Sequence, residues 1–474
     1  MSKTVYLTTT LPYVNADPHI GFAFEIVHAD IYARFNRLTG AQVFFNTGTD
    51  EHGQKVFEKA KEEGIDTQKY VDEYAAKFDD LKQALNLSYD SFIRTTDAKH
   101  TASAQAFWQL CKENGDIYKK LYKTKYCVGC ELEKTESELE NGKCSLHPNK
   151  KLEIREEENY FFKFSNYSDK LLSLYKNNPN FVVPDSRFNE IKAFVGRGLK
   201  DFSISRLKEK MPWGIQVPSD KEHVMYVWFD ALINYISAPG WPHDMENFSK
   251  RWPVIQFAGK DNIRQQSAMW QAMLMSAGLE PSKQIVIHGF INSGGQKMSK
   301  SLGNVINPYD LVNEYGTDAV RYYLARHVHP FEDSDYTAEK FKEAYTANLV
   351  NGLGNLASRI LTMSENYKIS YDGPLDLASQ GKVDTSTLER FKINRYMDEV
   401  WKMIQEADRF IQKEEPFKKI KKNKKDATSD IQHLLGELAV IAELIRPIMP
   451  ETADTIKEAI KKNKKPDEPL FPRK

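Results

Sequence analysis

The chain has 474 residues, 41% hydrophobic and 28% charged, with 66 lysines and arginines against 66 aspartates and glutamates. That length supports about three domains, and the zero formal charge argues against a generic polyanion binder. No stretch approaches the roughly 18–20 apolar residues of a membrane span, and no signal or transit pattern opens the chain. Four cysteines, three of them clustered, make no disulfide framework, so a reducing cytoplasmic setting fits.

An apolar, β-rich run from Val5 to Leu11 gives way to a helical pattern from Ile20 to Leu38. A strand at Gln42 to Asn46 and helices from Gln54 onward follow. This alternation predicts a parallel sheet of the Rossmann type. No Gly-x-Gly-x-x-Gly fingerprint appears, which excludes a dinucleotide oxidoreductase. From about Asn114 to Asp220 the pattern changes to a cysteine cluster and short aromatic-rich strands, and this reads as an insertion. Strand-like runs at Val224 to Phe229, Val254 to Gly259 and Ile285 to Gly289, with a helix at Arg264 to Ala277, would complete the sheet. After Asn307 the pattern is helical. Ala344 to Asn366, Thr385 to Lys413 and Ile431 to Lys462 carry apolar residues at three-to-four spacing, as in a bundle. The Pro466 to Pro472 tail reads as an extended strap. The expected fold is therefore α/β: a Rossmann-type catalytic domain in two halves (1–113 and 223–325), an inserted zinc-knuckle domain (114–222) and a C-terminal α-helical region (326–474).

Two segments carry most of the chemical information. Pro18-His19-Ile20-Gly21 lies where strand passes to helix, and a helix N-terminus favours an anion. Lys297-Met298-Ser299-Lys300-Ser301 follows Gly294-Gly295, so its lysines sit in a loop that can swing and neutralise charge on a phosphate chain. Taken singly, the first is more often a turn and cap, and the second a solvated surface. Together they point to a nucleotide site that handles triphosphate.

Cys127-Val128-Gly129-Cys130 and Cys144-Ser145-Leu146-His147 have the spacing of a tetrahedral Zn²⁺ site. Four protein ligands leave no open position, so the metal is structural. Gly129 is expected to permit the turn. Cys111 sits on an apolar helix and reads as core. Lys413 to Lys425 holds seven lysines against two glutamates, usually no more than a solvated helix face.

His-Ile-Gly followed about 280 residues later by Lys-Met-Ser-Lys-Ser resembles the class I aminoacyl-tRNA synthetases, and the surrounding residues resemble the methionyl-tRNA synthetases from Tyr6 to Arg473. The resemblance implies ATP, with Mg²⁺ on its phosphates, L-methionine and tRNA(Met), including the initiator, as partners. It implies that a methionine carboxylate attacks the α-phosphate of ATP, a step resting on alignment and charge stabilisation. His19 would then donate toward the α-phosphate, Gly21 would let the adenine lie close, and Lys297 and Lys300 would stabilise pyrophosphate. Pro18, Met298, Ser299 and Ser301 complete those segments. Gly259-Lys260-Asp261 is similar to the adenosine-binding segment, with Asp261 near the ribose. Asp50 matches the aspartate that holds the substrate ammonium. Leu11 and Tyr13, then Trp228, Ala231, Leu232 and Tyr235, match the methionine pocket. Arg206 is similar to an arginine near the substrate carboxylate or its aspartate partner.

Two positions depart from the family pattern. Phe22 replaces a second histidine and could stack in its place. Gln266 replaces a histidine lining the methionine pocket and keeps a hydrogen-bond donor. On the RNA side Asn355 and Arg359 resemble the segment that reads the CAU anticodon, and Phe417 stands where a tryptophan often follows a proline. The lysine-rich run falls in the same region, which makes phosphate contacts plausible there. The chain carries no counterpart of the extra domain through which some members dimerise, so a monomer is expected. The leucine, isoleucine and valine enzymes need a larger editing insertion, the cysteine enzyme places zinc in its active site, and a silent tRNA-binding copy has no need of His19, Asp50, Lys297 and Lys300.

Overall fold

Val5, Tyr6 and Leu7 are buried with both neighbours hydrogen-bonded in parallel, as a central strand of apolar and β-favouring residues requires. The computed structural model describes residues 3–130, 132–134, 139–298, 302–373 and 385–474. Its main sheet has six parallel strands: β1 (Thr4–Thr9), β2 (Gln42–Thr49), β3 (Ser91–Arg94), β4 (Val182–Val183), β5 (Val254–Gly259) and β6 (Gln284–His288). Their spatial order is β3-β2-β1-β5-β6-β4. The order reverses between β1 and β5, and in open α/β sheets the crevice outside the carboxyl ends at such a reversal is where ligands bind. Helix α1 (Ile20–Leu38) leaves β1 there, and 14 of its 19 residues are buried, so it is a core helix and not an amphipathic cover.

The inserted stretch is built on a long antiparallel pair, Ile117–Cys127 with Glu153–Phe162. It also returns to the main sheet, because its Val182–Val183 forms the edge strand β4 beside β6. Two expectations need correction. The Val224 to Phe229 run does not join the main sheet: His223–Met225 pairs antiparallel with Ser205–Leu207, and Val227–Ala231 turns helical. Tyr226 and Phe229 of this run are buried, which a short helix achieves as well as a strand. The Arg264 to Ala277 helix begins with a π-turn at Gln265–Met269 before Trp270–Ser276.

Among the described residues the C-terminal region packs Asn355–Tyr367, Ile393–Glu414, Lys424–Ile445 and Pro450–Lys462 into a bundle. The Thr385 to Lys413 pattern breaks at Phe391, whose φ is 57°, and the last pattern breaks around Pro447. Phe471 is buried near Tyr345, whose hydroxyl donates to the Pro472 carbonyl at 2.7 Å, so the tail does strap back. No helix among the described residues is long and apolar enough to cross a membrane.

Arg321 joins the two halves from inside the core. It donates to Asp30 Oδ2 on α1 at 2.7 Å, to the Leu85 carbonyl at 2.9 Å and to the Ile448 carbonyl at 2.7 Å, all fully buried. Burial works to raise the Asp30 pKa, but Arg321 and Arg34 outweigh it and hold the carboxyl below its ordinary value. Asp30→Asn keeps the shape yet strands a charge in the core, at a cost of about 3–5 kcal/mol. A depressed carboxyl stabilises the fold above its unfolded pKa of about 3.9, and that stability is lost as pH falls through the folded value. Chemical denaturation between pH 7 and pH 3 should therefore show a large deficit for Asp30→Asn at neutrality that narrows in acid.

Candidate active site

At the nucleotide end, His19 is the N-cap of α1, and its Nδ1 accepts from the Gly21 N–H at 3.0 Å. That bond fixes the tautomer of the neutral ring: Nδ1 is the acceptor, so Nε2 carries the proton. The ring opens to solvent, yet desolvation by the surrounding protein lowers its pKa, with Asp261 working in the opposite direction. A Cβ on Gly21 would lie 2.9 Å from His19 Cε1, so the room at this glycine is taken by the imidazole itself. The same Cβ would lie 3.8 Å from Met298 Cε. The two motifs, 277 positions apart from Gly21 to Met298, thus meet at the carboxyl end of β1.

The second motif starts on a hairpin strand at Lys297. Gly294 and Gly295, at φ 58° and 76°, make the tight turn of a hairpin in which Gln296–Lys297 pairs with Ile291–Ser293. Lys297 is exposed, with its Nζ 5.1 Å from the centre of the Phe290 ring, and Pro18 is buried. Ser299, Lys300 and Ser301 lie outside the described residues. Asp261 is exposed just beyond β5, and a Cβ on Gly259 would lie 2.8 Å from Asp261 Oδ1, so the carboxylate occupies the space beside this glycine. Phe22 is not turned to a nucleotide-stacking role alone: its ring packs edge-on against Phe78 at 5.4 Å.

The residues expected on the methionine side lie beyond the β1 and β2 ends and around the Val227–Ala231 turn. Tyr13 and Asp50 form a parallel bridge beyond β1 and β2, and Asp50 is buried. Leu11 is half-buried just ahead of it. Trp228 and Ala231 are half-buried on the helical turn Val227–Ala231, while Leu232 and Tyr235 behind them are buried. Arg206 lies 4.2 Å over the Tyr226 ring and donates to Ser203 Oγ and to the Ser205 carbonyl. Gln266 is buried, and its donor is engaged within the protein: Nε2 reaches Tyr235 Oη at 2.8 Å, and its Oε1 accepts from Gln256 at 2.8 Å. Gln256 in turn accepts from Ser282, which bonds Gln271.

Several buried groups at the site were not legible as functional in the sequence. Asp230, fully buried, takes His52 Nδ1 at 2.6 Å on one oxygen and His100 Nε2 at 2.8 Å on the other. Burial pushes its pKa up, but the two imidazoles outweigh this and hold it below the ordinary value. The triad ties the loop of Asp50 to the turn of Trp228 and Ala231. Glu25 on α1 accepts from the Thr10 N–H at 2.8 Å and from Thr10 Oγ1 at 2.5 Å. Its burial, opposed by the Thr10 bonds and assisted by Asp261, raises its pKa to about 8. Within the sequence, the signals were an acid inside Trp-Phe-Asp-Ala, a histidine two residues past Asp50, and a carboxylate on an apolar helix.

The ligand atoms of Cys127, Cys130, Cys144 and His147 all lie within 4.8 Å of one another. Three thiols and an imidazole that close are the donor set of a structural Zn²⁺, and they fit it. Gly129 is not in the left-handed region. It is required because a Cβ would meet the His147 ring at 2.4 Å.

The family described as tRNA synthetases class I (M) matches residues 5–136 and 129–361, and the anticodon binding domain of methionyl tRNA ligase matches 375–469. The chain belongs to the methionyl-tRNA synthetase family. It is 40% identical to a methionine–tRNA ligase of Thermosynechococcus vestitus, covering 96% of this chain and 90% of that one. It is 41% identical to the ligase of Rhizobium meliloti, covering 96% and 91%. Among solved structures, it superposes on the Mycobacterium tuberculosis methionyl-tRNA synthetase in complex with methionyl-adenylate with TM-score 0.92 at 35% identity, over 99% of this chain and 100% of that one. Against the free-state form of that enzyme the TM-score is 0.84 at 32% identity, over 100% and 99%.

In the family's RNA-side segment, Asn355 and Arg359 share one face of the Asn355–Tyr367 helix, four residues apart. Asn355 is exposed, and Arg359 pairs with Asp408 of the neighbouring helix. Phe417 is 39% exposed on a short turn beside Lys418.

Two measurements check this geometry. Atomic absorption should find zinc in the parent protein and little in Cys144→Ser, whose melting temperature should be lower. Glu25 binds a proton in the fold up to about pH 8 that it releases near pH 4.3 when unfolded, so its contribution falls as pH rises between those values. Glu25→Gln, which keeps the Thr10 acceptor, should gain stability relative to the parent as pH goes from 5 to 9.

Proposed function

We infer that this chain is a methionine–tRNA ligase, which activates L-methionine with ATP to methionyl-adenylate and pyrophosphate, then passes the methionyl group to tRNA(Met) and releases AMP. The observation that carries this reading is the meeting of His19, Gly21 and Met298 at the sheet's reversal point, beside a pocket framed by Asp50, Tyr13, Trp228 and Tyr235. In the first step a carboxylate oxygen bonds the α-phosphorus and the bond to the bridging oxygen of pyrophosphate breaks. No general base is needed, because the nucleophile is already an anion.

His19 Nε2–H is the donor aimed at the α-phosphate, and its lowered pKa keeps the ring in the tautomer that the Gly21 bond selects. Lys297, with Lys300, neutralises the departing pyrophosphate, on which Mg²⁺ is expected. Asp261 and Gly259 hold the adenosine side. Asp50 receives the ammonium of methionine. Tyr235 accepts a bond from Gln266, which leaves its phenolic proton as a donor for the pocket. Arg206, Leu11, Ala231 and Leu232 complete the walls. Asn355, Arg359 and Phe417 form the anticodon contact, in which Arg359 exchanges Asp408 for RNA and Phe417 stacks on a base. Zn²⁺ would hold the knuckle closed and supplies no chemistry to either step.

Pyrophosphate exchange with each of the twenty amino acids and no tRNA should give a signal with methionine alone. Silence across the panel, with tRNA binding intact, would replace the ligase with an RNA-binding protein. Asp50→Asn removes a charged hydrogen bond and should raise KM for methionine about 10- to 150-fold, with little change for ATP. Gln266→Ala frees Tyr235 and should also weaken methionine. An unchanged KM would assign the pocket's polarity to other groups.

A further inference from the structure

Gln256 lies mid-strand in β5, paired with Thr8 on one side and Ile285 on the other, and it is buried. A buried amide in a central parallel strand is unfavourable unless its polar atoms are bonded. Here Gln256, Gln266, Gln271 and Ser282 are all buried and bond one another in series, and the series ends on Tyr235 of the amino-acid pocket. Ser282 stands at the far end, in the loop ahead of β6. Its neighbour Lys283 pins that loop to β5 by donating from its N–H to the Val254 carbonyl at 2.8 Å.

The series has one direction, and its far end sets it. The Ser282 N–H, a backbone donor that cannot reverse, donates to Gln271 Oε1 at 2.9 Å. Gln271 Nε2 donates to a backbone acceptor, the Gln266 carbonyl, at 2.8 Å, so this amide cannot be turned over. The same Nε2 donates to Ser282 Oγ at 3.2 Å, and the serine must therefore give its hydrogen onward, to Gln256 Oε1 at 2.6 Å. Gln256 then presents its amide nitrogen to Gln266 Oε1 at 2.8 Å, and Gln266 presents its own to Tyr235 Oη at 2.8 Å. The phenol receives this bond, so its hydrogen points elsewhere and is left for a ligand. Its ring packs against Trp270 with centres 5.9 Å apart, and the Tyr235 carbonyl accepts from Tyr6 at 2.9 Å, so only the hydroxyl is free to turn. Burial raises the phenol pKa against the bonds from Gln266, Asn234 and Gln256, and the hydrogen stays on the oxygen.

We propose that Ser282, two side chains removed from Tyr235, is a positioning residue for amino-acid specificity: through Gln256 and Gln266 it keeps Tyr235 a donor toward the substrate side chain. The proposal rests on the ligase reading above and alters no bond change of either step. A thioether sulfur is a weak acceptor, whereas norleucine, which has a methylene in its place, accepts nothing. A donor facing the side chain thus favours methionine over norleucine. Without Ser282 Oγ, Gln256 loses the bond that orients it. Gln256 and Gln266 can then both turn over, and Tyr235 donates back to Gln266 Oε1 instead of to the ligand. The series is therefore a relay of direction, carried from a backbone N–H to the pocket by groups that never touch the substrate, apart from its last members.

The test compares methionine with norleucine in pyrophosphate exchange. It uses the parent protein, Ser282→Ala, Ser282→Thr, Tyr235→Phe and the variant carrying both Ser282→Ala and Tyr235→Phe. The ratio of the two kcat/KM values cancels any loss of folded protein. Ser282→Ala should raise KM for methionine about 2- to 12-fold, the range of one neutral hydrogen bond, with kcat and the norleucine values within about twofold of the parent. Ser282→Thr, which keeps the hydroxyl, should restore the parent ratio. In the Tyr235→Phe background the serine change should leave the ratio where it is, because a residue acting through the phenol has nothing left to act on. A parental ratio in Ser282→Ala would overturn the proposal, as would equal losses for both amino acids or additive losses in the double variant. Absence of methionine-dependent exchange in the parent protein would instead strike the ligase reading. Calorimetric binding of methionine and norleucine, which needs no turnover, would then judge Ser282 by the same ratio.

Discussion

Parallel strands cannot be joined by tight turns, and that constraint places the whole site. Each strand must be reached by a crossover, and β1 sits where the crossovers part, with β2 on one side and β5 on the other. The segments beyond β1, β2 and β5 therefore face one crevice, and they bring Tyr13 and His19, Asp50 and His52, Gly259 and Asp261. A helix begins at the same spot, so the positive end of its dipole lies at the crevice, while its first N–H groups are taken by the Ile306 carbonyl, His19 Nδ1 and the His19 carbonyl. The later motif comes to this crevice from the far end of the sequence because the hairpin after β6 is folded over it, with the Ile20 N–H donating to the Ile306 carbonyl at 2.9 Å.

Three buried carboxyl groups around this frame show how partners decide charge. Asp230 has two imidazoles, and Asp30 has two guanidinium groups, so both stay below the ordinary carboxyl value despite burial. Glu25 has only the neutral donors of Thr10, with the like charge of Asp261 nearby, and its value rises. Each outcome serves a different purpose. The ionised groups are struts: Arg321–Asp30 ties catalytic sheet to helical bundle, and His52–Asp230–His100 fixes the Asp50 loop against the Trp228 turn. A strut of this kind contributes little net stability after desolvation, but it penalises any other spacing. The carboxyl that keeps its proton is a donor as well as an acceptor near Asp261.

Much of this was legible in the residues. The β–α alternation carried the sheet, because buried parallel strands and the core helix between them read as apolar runs with distinct periods. The zinc ligands were legible from spacing alone, since two short turns that each present a pair of soft or nitrogen donors are what a closed tetrahedral shell requires of Cys127, Cys130, Cys144 and His147. What stayed hidden was pairing across long separations. Asp230 looked like one acid in an aromatic run, and only the fold puts His52 and His100 on its two oxygens. Val224 to Phe229 misled because a short aromatic run has no period by which to tell a buried turn from a strand. Gly21 and Gly129 were read as freedom for a ligand or a turn, whereas each makes room for a histidine ring, a requirement set by contacts that no local pattern contains.

The exchange of histidine for Gln266 follows from the same logic of partners. A histidine carries a group that can change charge, and burial of the kind found here lowers its pKa, as it does for His288. An amide never titrates, but it brings both a donor and an acceptor that must be satisfied in a dry interior. Here Gln266 spends its donor on Tyr235 and its acceptor on Gln256, and Ser282 and Gln271 close the chain behind them. The π-turn at Gln265–Met269 contributes directly, because it lets Gln271 Nε2 reach back to the Gln266 carbonyl at 2.8 Å. Gln266 thus stands in a set of three glutamines and a serine, spread over β5, the π-turn, the helix after it and the loop ahead of β6. The pocket keeps a tyrosine oriented by a hydrogen bond, and that bond is indifferent to pH.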